Sequence, residues 1–348
     1  MNRVRAGIIG AGLIARKKHV PAFQKYGDQV ALTAICDLNR EAAQSAASAF
    51  GIPGAYGDVA EMLSKERLDL VDICTPPQTH AQLAVQAMEQ GCHVLIEKPM
   101  ALTVGDCDAI VNAARQHGRK VCVGHSDLFY PPVIRARKMV ANGEIGEFRG
   151  MRIFLSTPTD YMTSRKDYWA HRLPGGVLGE TGPHVVYLTL AFMSRVLDVK
   201  VHGAKILDFP WSRFEDYRID LIGERAVSSI VLSYGSNQWL ARVEIIGSRA
   251  LLLLDLEGMV LVKHDLRELK PARVGLSVLS ETAQTIAALI SNWARYATGH
   301  GVSTHKAIVG EFVRSILNGT PPPVTAEEGR ETIRVLNMIV ERLQAEPV

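Results

Sequence analysis

The chain has 348 residues, of which 47% are hydrophobic and 22% are charged, and its formal net charge at neutral pH is +3. This length exceeds what one hydrophobic core usually serves, so two domains are expected. The small net charge argues against nucleic acid as a partner. No apolar stretch approaches the roughly 18 residues of a membrane span, so no membrane is expected as a partner. The five cysteines lie in or beside apolar runs without a CxxC pair, which indicates reduced thiols in a cytoplasmic protein.

The first 125 residues alternate short apolar runs with segments of helical period. The apolar runs show little polar alternation, as expected for a parallel sheet that helices cover on both faces. One helical segment, THAQLAVQAMEQG, has Thr79 as its expected N-cap and Gly91 as its expected C-terminal stop. The runs are RAGIIG, ALTAICD, LDLVDICTP, HVLIEKP and KVCVGH. Residues 1–125 are therefore predicted to form a doubly wound α/β domain.

The first predicted strand runs into a glycine-rich turn, GIIGAGLIA, with Gly10, Gly12 and Ala15 in a GxGxxA pattern. Gly10 permits a tight turn, Gly12 lets a pyrophosphate approach the backbone, and Ala15 lets helix and strand pack closely. The N–H groups at the start of the helix, near Leu13 and Ile14, would face the phosphates. The motif predicts an NAD(P)-binding Rossmann domain.

The second predicted strand ends in Asp37, 22 positions after Ala15 (37 − 15). An acid at about this distance accepts hydrogen bonds from a ribose diol. Its carboxylate is expected to accept from the 2′-hydroxyl of NAD and to repel the 2′-phosphate of NADP. Arg40 is close enough in sequence to weaken this preference, so NAD is predicted and NADP is not excluded. The alternative interpretation of Asp37 is a turn residue at a strand end.

The stretch HVLIEKP places Glu97 and Lys98 at the carboxyl end of a predicted strand, followed by Pro99. Ligands of open α/β sheets bind along that edge. An ammonium there could hydrogen-bond a substrate hydroxyl, steady the alkoxide as hydride leaves carbon, and assist proton removal. The proline would fix the direction of the lysine. The alternative is a surface Glu–Lys pair at a turn.

In the second half the apolar runs come close together, several alternate, and short turns separate them, which is typical of an antiparallel sheet. The predicted strands are EFRGMRIFLS, YRIDLIG, RAVSSIVLSY, WLARVEIIG, RALLLLDLE and MVLVKHD. Helical periodicity follows from about Ser280 to Asn318, and TAEE predicts a capping box for a last helix over 325–345, expected to pack back on the first domain. Residues 126–348 are predicted to form an α+β domain with an open, mainly antiparallel sheet that serves substrate binding and oligomerisation.

A second candidate catalytic element is PGGVLGETGPHVVYL, a predicted helix on which Glu180 and His184 share one face. A histidine can take the proton of a hydroxyl that loses hydride, and the carboxylate could orient the ring. A structural histidine is the alternative. A carboxylate and a histidine four positions apart could also chelate a metal, but no third ligand appears in register, and no metal is predicted.

The segment STPTDYMTSRKDYWAHRLPGG, residues 156–176, has no clear period and leads to the predicted His184 helix. Irregular segments of this length are usually functional or disordered. Aromatic faces can pack on a pyranose or cyclitol, and cations can hold a phosphate or carboxylate. A solvated basic loop is the alternative. The candidate substrate-binding residues are Arg165, Tyr168, Trp169 and His171 in this segment, with His125 and Tyr130 after the last strand of the first domain.

These motifs together resemble the Gfo/Idh/MocA oxidoreductases, the family of glucose–fructose oxidoreductase and inositol dehydrogenase. The resemblance extends over almost the whole chain and includes GIIGAGLIA, CTPPQTHAQLAVQAMEQGCHVLIEKPMAL, ANGEIGEFRGMRI, YWAHRLPGGVLGETGPH, IIGSRALLLLD and PPPVTAEEGRETIRVL. It implies that Lys98 contacts the substrate hydroxyl and the nicotinamide, that Pro99 is cis, and that His184 is catalytic. Glu180 stands where the family usually has an aspartate.

The resemblance also implies that Thr75, Pro76 and His80 lie near the cofactor, although His80 is equally consistent with a structural residue at a helix start. The predicted catalytic residues are thus Lys98, His184 and Glu180. The predicted cofactor-binding residues are Gly10, Gly12, Leu13, Ile14, Ala15, Asp37, Arg40, Thr75, Pro76, His80, Glu97 and Lys98.

The sequence therefore predicts an NAD(P)-dependent dehydrogenase that transfers hydride between the nicotinamide and a secondary hydroxyl of a sugar, cyclitol or sugar derivative. The resemblance implies a homodimer or homotetramer, expected to form through the C-terminal sheet. One alternative is an NAD-retaining glycosidase that uses transient oxidation and elimination. Another is a non-catalytic, dinucleotide-sensing regulator, against which the presence of both Lys98 and His184 argues.

Overall fold

The computed structural model describes residues 3–299 and 301–345, so the outermost residues of the predicted domains, 1–2 and 346–348, lie outside the described residues. The chain divides into two compact units. Unit 1 runs to Ser126 and also contains Ser303–Arg334, whereas unit 2 contains Asp127–Val302 and continues from Val335. The sequence analysis placed residues 126–348 in the second domain and expected the helix over 325–345 to pack back on the first, whereas in the structure residues 303–334 belong to unit 1.

Unit 1 is built on a six-stranded parallel sheet in the order β3-β2-β1-β4-β5-β6. Its strands are β1 Val4–Ile9, β2 Val30–Cys36, β3 Gly54–Tyr56, β4 Leu70–Ile73, β5 His93–Ile96 and β6 Val121–Val123. Its helices up to Ser126 are α1 Val20–Lys25, which follows a π-helical turn Ala15–His19, then α2 Arg40–Phe50, α3 Val59–Glu66, α4 His80–Glu89 and α5 Val104–Gln116. The five predicted strands are confirmed. The sequence analysis missed β3, which has only three residues.

Of the two predicted ends of α4, the C-terminal stop is confirmed and the N-cap is not. Gly91 follows the helix with φ +84°, in the left-handed region where glycine is favoured, as expected for a stop. Thr79 precedes the helix but does not cap it with its side chain, since its hydroxyl donates to the Pro76 carbonyl at 2.9 Å. The 3-10 turn Pro77–Thr79 leads directly into α4 and takes the place of an N-cap.

Unit 2 is built on a seven-stranded sheet in the order β13-β12-β11-β7-β10-β9-β8. Its strands are β7 Phe148–Ser156, β8 Asp198–Ala204, β9 Asp216–Ile222, β10 Val227–Ser233, β11 Leu240–Gly247, β12 Leu251–Asp255 and β13 Val260–His264, and its helices are α6 Pro131–Ala141, α7 Val177–Leu190 and α8 Pro271–Ala297. Only the pairing of β7 with β10 is parallel, so the prediction of a mainly antiparallel sheet is confirmed. The six predicted strands are present, and β8 was missed.

The helical region predicted from Ser280 begins earlier, at Pro271, because Lys270 is extended and Pro271 is at a first-turn position where proline is tolerated. The region also contains two helices, since α9 spans Thr304–Asn318.

By length and composition alone α8 could cross a membrane, as an 18-residue window has a mean hydropathy of 1.3 and none of it is buried. The sequence analysis missed this property because polar residues interrupt the apolar ones.

The segment that returns to unit 1 contains α9 and the start of α10, Ala326–Ala345. A Cβ at Gly310 would lie 2.3 Å from the Tyr26 ring, so glycine lets α9 approach the residue that ends α1. The predicted capping box of α10 is confirmed. The Glu328 N–H donates to the Thr325 hydroxyl at 3.2 Å, and the Thr325 N–H donates to the Glu328 carboxylate at 2.7 Å.

Candidate active site

The glycine-rich turn after β1 has the geometry that its motif predicts. Gly10 has φ +100°, and a Cβ there would lie 2.7 Å from the Cys74 carbonyl oxygen, so only glycine fits. At Gly12 a Cβ would meet nothing within 4 Å, which leaves the backbone open to a ligand. Ala15 is fully buried, whereas Leu13 is 69% exposed. This exposed backbone at a helix start fits a dinucleotide pyrophosphate.

The Asp37 carboxylate at the end of β2 is fixed beside the glycine-rich turn. One oxygen accepts from the Ala11 N–H at 2.8 Å and the other from the Asn39 N–H at 2.9 Å. The side chain stays half-buried, so lone pairs remain for ribose hydroxyls. Arg40 is exposed, and a Cβ at Gly57 would lie 3.4 Å from its Cβ, which places its stem at the β3–α3 loop. The Asp37 carboxylate adjoins the turn, and this arrangement fits NAD.

We expect Asp37→Asn to shift the preference from NADH toward NADPH. The variant removes the charge that repels a 2′-phosphate and weakens the acceptor for a 2′-hydroxyl, so the ratio of the two dissociation constants should change by about tenfold to a hundredfold. Fluorescence titration with each reduced nucleotide measures this ratio. Asp28→Asn, at an exposed aspartate of the same unit, is the control and should leave the ratio unchanged. An unchanged ratio in Asp37→Asn would remove Asp37 from the ribose site.

The loops after β4 and β5 lie along the same edge of the sheet as the glycine-rich turn, because β1, β4 and β5 are parallel neighbours. The fully buried His80 ring joins the two loops, with Nδ1 3.0 Å from the Pro99 carbonyl and Nε2 2.8 Å from the Thr75 carbonyl. Burial lowers the pKa of His80. This placement supports the structural interpretation of His80. Pro76, also assigned to the cofactor, is exposed in the loop after β4.

Lys98 follows β5 and is half-buried, and its peptide bond with Pro99 is cis, as the resemblance implied. Glu97, in contrast, is 7% exposed. One of its carboxylate oxygens accepts from the Lys98 N–H at 3.1 Å, and the other is 2.8 Å from His19 Nε2. The sequence analysis assigned Glu97 to the cofactor. The structure instead directs its carboxylate into a buried network that anchors the backbone of Lys98.

The centre of this network is His19, which lies between two carboxylates. Its Nδ1 is 2.6 Å from Asp72 and its Nε2 is 2.8 Å from Glu97, and the ring is 1% exposed. Burial lowers the pKa of His19, but the charge and hydrogen bond of Asp72 outweigh it and raise the pKa well above its usual value. Burial raises the pKa of the Asp72 carboxyl, and the charge and hydrogen bond of His19 oppose this effect. The raised pKa of His19 favours the protonated ring, which can donate to both carboxylates.

Glu97 has the opposite shift. Burial would raise the pKa of Glu97, but the hydrogen bond and charge of His19, with the charges of His305 and Lys98, lower it to about 2. The sequence analysis missed His19, Asp72 and His305. Asp72 could have revealed this buried network in the sequence, because it is a charged residue inside the apolar run LDLVDIC. A carboxylate in a buried strand needs a partner.

The same side chains could in principle hold a metal ion, because His19 groups with Asp72 and Cys74, and also with Glu97 and His305, with ligand atoms within 4.8 Å. The contacts of His19 argue for hydrogen bonds instead. At 2.6 and 2.8 Å they are shorter than the roughly 3.3 Å that separates ligands bound to a tetrahedral zinc ion. Burial also raises the pKa of the Cys74 thiol to about 12, which disfavours the thiolate that a metal needs.

Glu97→Gln is expected to destabilise the protein near neutral pH by about 3 kcal/mol, because a buried imidazolium loses one of its two carboxylates. A carboxylate whose pKa is lower in the folded than in the unfolded chain stabilises the fold at pH values above its unfolded pKa, here 4.5. This stabilisation is lost as the pH falls through the folded pKa of about 2. The difference from the parent should therefore shrink between pH 5 and pH 2. Urea unfolding at several pH values measures it. Glu61→Gln, which breaks the exposed pair with Lys65, is the control, and equal losses at every pH would contradict the assignment.

In unit 2, α7 is mostly buried but leaves Glu180 and His184 partly exposed on one face. His184 Nδ1 lies 2.7 Å from an Asp127 carboxylate oxygen and 2.7 Å from the Tyr187 hydroxyl. When Nδ1 donates its proton to Asp127, Nε2 keeps a lone pair and can act as a base. The sequence analysis expected Glu180 to orient the ring. In the structure a different carboxylate, that of Asp127, 57 positions away, lies at Nδ1.

Aromatic side chains cluster in the irregular segment before α7. The Tyr161 and Trp239 rings are 4.8 Å apart between centroids, and the Tyr168 and Trp169 rings are 5.9 Å apart. Burial and then the charge of Glu180 raise the pKa of Tyr161 to about 12, so the cluster adjoins the polar face of α7. The sequence analysis missed Trp239, which precedes β11.

The remaining candidate substrate residues differ in accessibility. Arg165 is exposed, with its guanidinium 5.0 Å from the centre of the Tyr168 ring. Tyr130 is half-buried, and burial followed by the charge of Asp127 raises its pKa to about 12. His125 is 2% exposed, so little of its ring is accessible in this structure.

His171, also predicted to bind substrate, has its ring 3.3 Å from the Met162 carbonyl. The ring lines a cavity of about 200 Å³ together with Gly175, Gly176 and Trp211. A histidine bonded to the backbone of its own segment shapes that segment, so a structural role for His171 is favoured.

Comparison with known proteins identifies both halves of the chain. Residues 4–125 match the family described as "Oxidoreductase family, NAD-binding Rossmann fold", and residues 133–252 match the "GFO/IDH/MocA C-terminal domain". The two matched ranges together cover more than half of the chain and follow the parallel sheet of unit 1 and most of the sheet of unit 2.

Individual relatives are more distant. An uncharacterised oxidoreductase of Rhizobium meliloti is 28% identical over 97% of this chain and 96% of its own. The D-glucoside 3-dehydrogenase of Escherichia coli K12 is 33% identical, but the alignment covers only 41% of each chain. The crystal structure of the WlbA dehydrogenase from Bordetella pertussis, in complex with NADH and UDP-GlcNAcA, has a TM-score of 0.80 at 20% identity and covers 100% of this chain and 99% of that one. This structural similarity shows that the two chains share a fold.

Proposed function

Because the chain belongs to the Gfo/Idh/MocA oxidoreductases and has their NAD-binding Rossmann domain, we propose that it oxidises a secondary hydroxyl of a sugar, cyclitol or sugar derivative, or reduces the corresponding ketone. The observation that carries this proposal is the His184–Asp127 pair, with His184 on a partly exposed helix face that adjoins an aromatic cluster. Such a base takes a hydroxyl proton, and aromatic faces pack on the C–H side of a sugar ring.

In this proposal NAD supplies the acceptor for the hydride. Lys98 donates a hydrogen bond to the substrate hydroxyl and stabilises the negative charge that develops on its oxygen. Its backbone is anchored by Glu97, which limits the directions open to the ammonium. His184 accepts the hydroxyl proton at Nε2, and Asp127 holds the ring in the required tautomer and stabilises the imidazolium that forms.

For the substrate we propose a glucoside or a nucleotide-linked sugar, two classes that the names of the relatives contain. The exposed cations Arg165 and Lys166 beside the aromatic cluster support an anionic or phosphorylated group on the substrate. We also propose a cytoplasmic location, supported by five cysteines that are free and buried.

The experiment is a panel of glucosides, inositols, aldoses and UDP-sugars incubated with the full chain and NAD, with the absorbance of reduced nicotinamide followed over time. Formation of NADH with one class of hydroxyl substrate supports the proposal and names the class. Cleavage of an aryl glucoside without net formation of NADH would contradict it and indicate an enzyme that retains and recycles its NAD. Binding of NAD without any turnover in either direction would favour a regulator.

A further inference from the structure

Helix α8 in unit 2 presents its apolar side to solvent. Eight large apolar side chains of this helix are at least half exposed, and the helix contains no fully buried residue. They are Leu276, Val278, Leu279, Ile286, Leu289, Ile290, Trp293 and Tyr296, with exposures from 51% to 80%. An apolar patch of this size on a soluble protein usually marks an interaction site.

The polar side of α8 fixes the helix to its own unit. Gln284 accepts from the Lys263 N–H at 2.8 Å and donates to the Lys263 carbonyl at 3.1 Å, pairing with the edge strand β13 as a neighbouring strand would. Asn292 donates to the carbonyls of Gly258 and Met259 at 3.0 and 3.1 Å. These contacts hold the apolar side outward, so the helix cannot turn it inward without breaking them.

Five of these eight residues, together with two exposed alanines, follow the spacing of a coiled coil. Seven positions alternate by three and four and form what we call the apolar seam: Leu276, Leu279, Ala283, Ile286, Ile290, Trp293 and Ala297. This is an a/d repeat over three heptads, and the half-buried polar residues Ser277, Glu281, Gln284 and Asn292 lie at the b, c and f positions on the opposite side. The partner that fits such a seam is another helix with the same repeat.

We propose that the apolar seam of α8 pairs with the apolar seam of a second copy of this chain, with the two helices antiparallel. In antiparallel coiled coils each a residue packs beside a d residue of the partner. This places Leu276 beside the partner's Trp293, Leu279 beside the partner's Ile290, and Ala283 beside the partner's Ile286. In this register Trp293 faces leucine and Ala283 faces isoleucine, whereas a parallel pair would face alanine with alanine and tryptophan with tryptophan.

The available area suits a stable dimer. The helix is about 40 Å long, and its exposed apolar side chains present on the order of 1,000 Å² per copy, against about 800 Å² per partner in a standard interface. The open face of the sheet offers less. It carries ion pairs such as Arg152–Glu244 and Arg242–Asp255, whose burial would cost desolvation energy.

A membrane fits the helix less well than a second copy does. Crossing a bilayer would break the bonds of Gln284 and Asn292 to the sheet. Helices that lie on a membrane surface are usually rich in lysine and arginine on their polar side. The only cationic residues of α8 are Arg273 and Arg295, and its polar side faces the protein.

The first test measures the mass of the full chain in solution by light scattering, for the parent, Ile286→Glu and Ser291→Glu. The parent should have at least twice the 38.1 kDa of one chain, and Ile286→Glu should have half the mass of the parent. Ser291→Glu adds the same charge at an exposed position outside the seam and should leave the mass unchanged. Circular dichroism checks that both variants stay folded. A monomeric parent, including one that binds phosphatidylcholine vesicles, or an unchanged mass of Ile286→Glu, would overturn the proposal.

The second test determines whether the two paired helices are antiparallel. Leu279→Cys and Ile290→Cys proteins, mixed and oxidised, should form a disulfide between copies, whereas each variant alone should not. The five native cysteines are buried and do not interfere. Crosslinking of Leu279→Cys with itself would overturn the antiparallel pairing.

Discussion

Replacing Lys98 by alanine is expected to lower kcat by about 10²- to 10⁴-fold, the range usually lost with a group that transfers or stabilises a proton in the transition state. NADH affinity should change by less than about tenfold, because the glycine-rich turn and Asp37 remain in place. The measurement combines steady-state kinetics on the substrate found in the panel with a titration of NADH.

The control for Lys98→Ala is Lys65→Ala, which removes an exposed lysine of the same unit that pairs only with Glu61 among the contacts described. Its activity should equal that of the parent. Full activity of Lys98→Ala would remove the lysine from the mechanism, and an unchanged biological output together with absent turnover in the parent would favour the regulator.

Replacing His184 by asparagine is expected to lower kcat by a similar factor, since the variant has no group that can accept the hydroxyl proton. Asp127→Asn should reduce kcat less, because the imidazole stays in place but loses the acceptor that fixes its tautomer. If the two residues act as a unit, the double variant should be no slower than His184→Asn alone. A double-variant cycle on kcat measures this coupling.

The control for this series is His202→Asn, at an exposed histidine of β8 in the same unit, which should leave kcat unchanged. Additive losses in the double variant would show that Asp127 acts independently of His184. An active His184→Asn variant would assign the proton to another group.

The parallel sheet and the glycine-rich turn could be predicted because their signals are local. Gly10 and Ala15 meet requirements set by neighbouring backbone, and the apolar runs reveal strands that are buried on both faces. The partners of the catalytic groups could not be predicted. Asp127 reaches His184 from 57 positions away, and His19 reaches Glu97 from 78 positions away.

The sequence did not reveal Asp127 as a partner of His184. A carboxylate one helical turn before His184 is the nearest acceptor in sequence, but the nitrogen that needs an acceptor meets Asp127, in the 3-10 turn that precedes α6. The outward apolar side of α8 was missed for a related reason. Its periodicity is that of an ordinary amphipathic helix, and only the structure shows which side faces the sheet.

The most direct test of the central claim is a fluorescence titration of the purified full chain with NADH and, separately, with NADPH. The site built from Gly10, Gly12 and Asp37 predicts tight binding of NADH and binding of NADPH that is weaker by at least about tenfold. Tighter binding of NADPH would mean that Arg40 outweighs Asp37. If neither nucleotide bound, and denatured protein released no nucleotide already held, the cofactor site and the roles of Lys98 and His184 would be contradicted together.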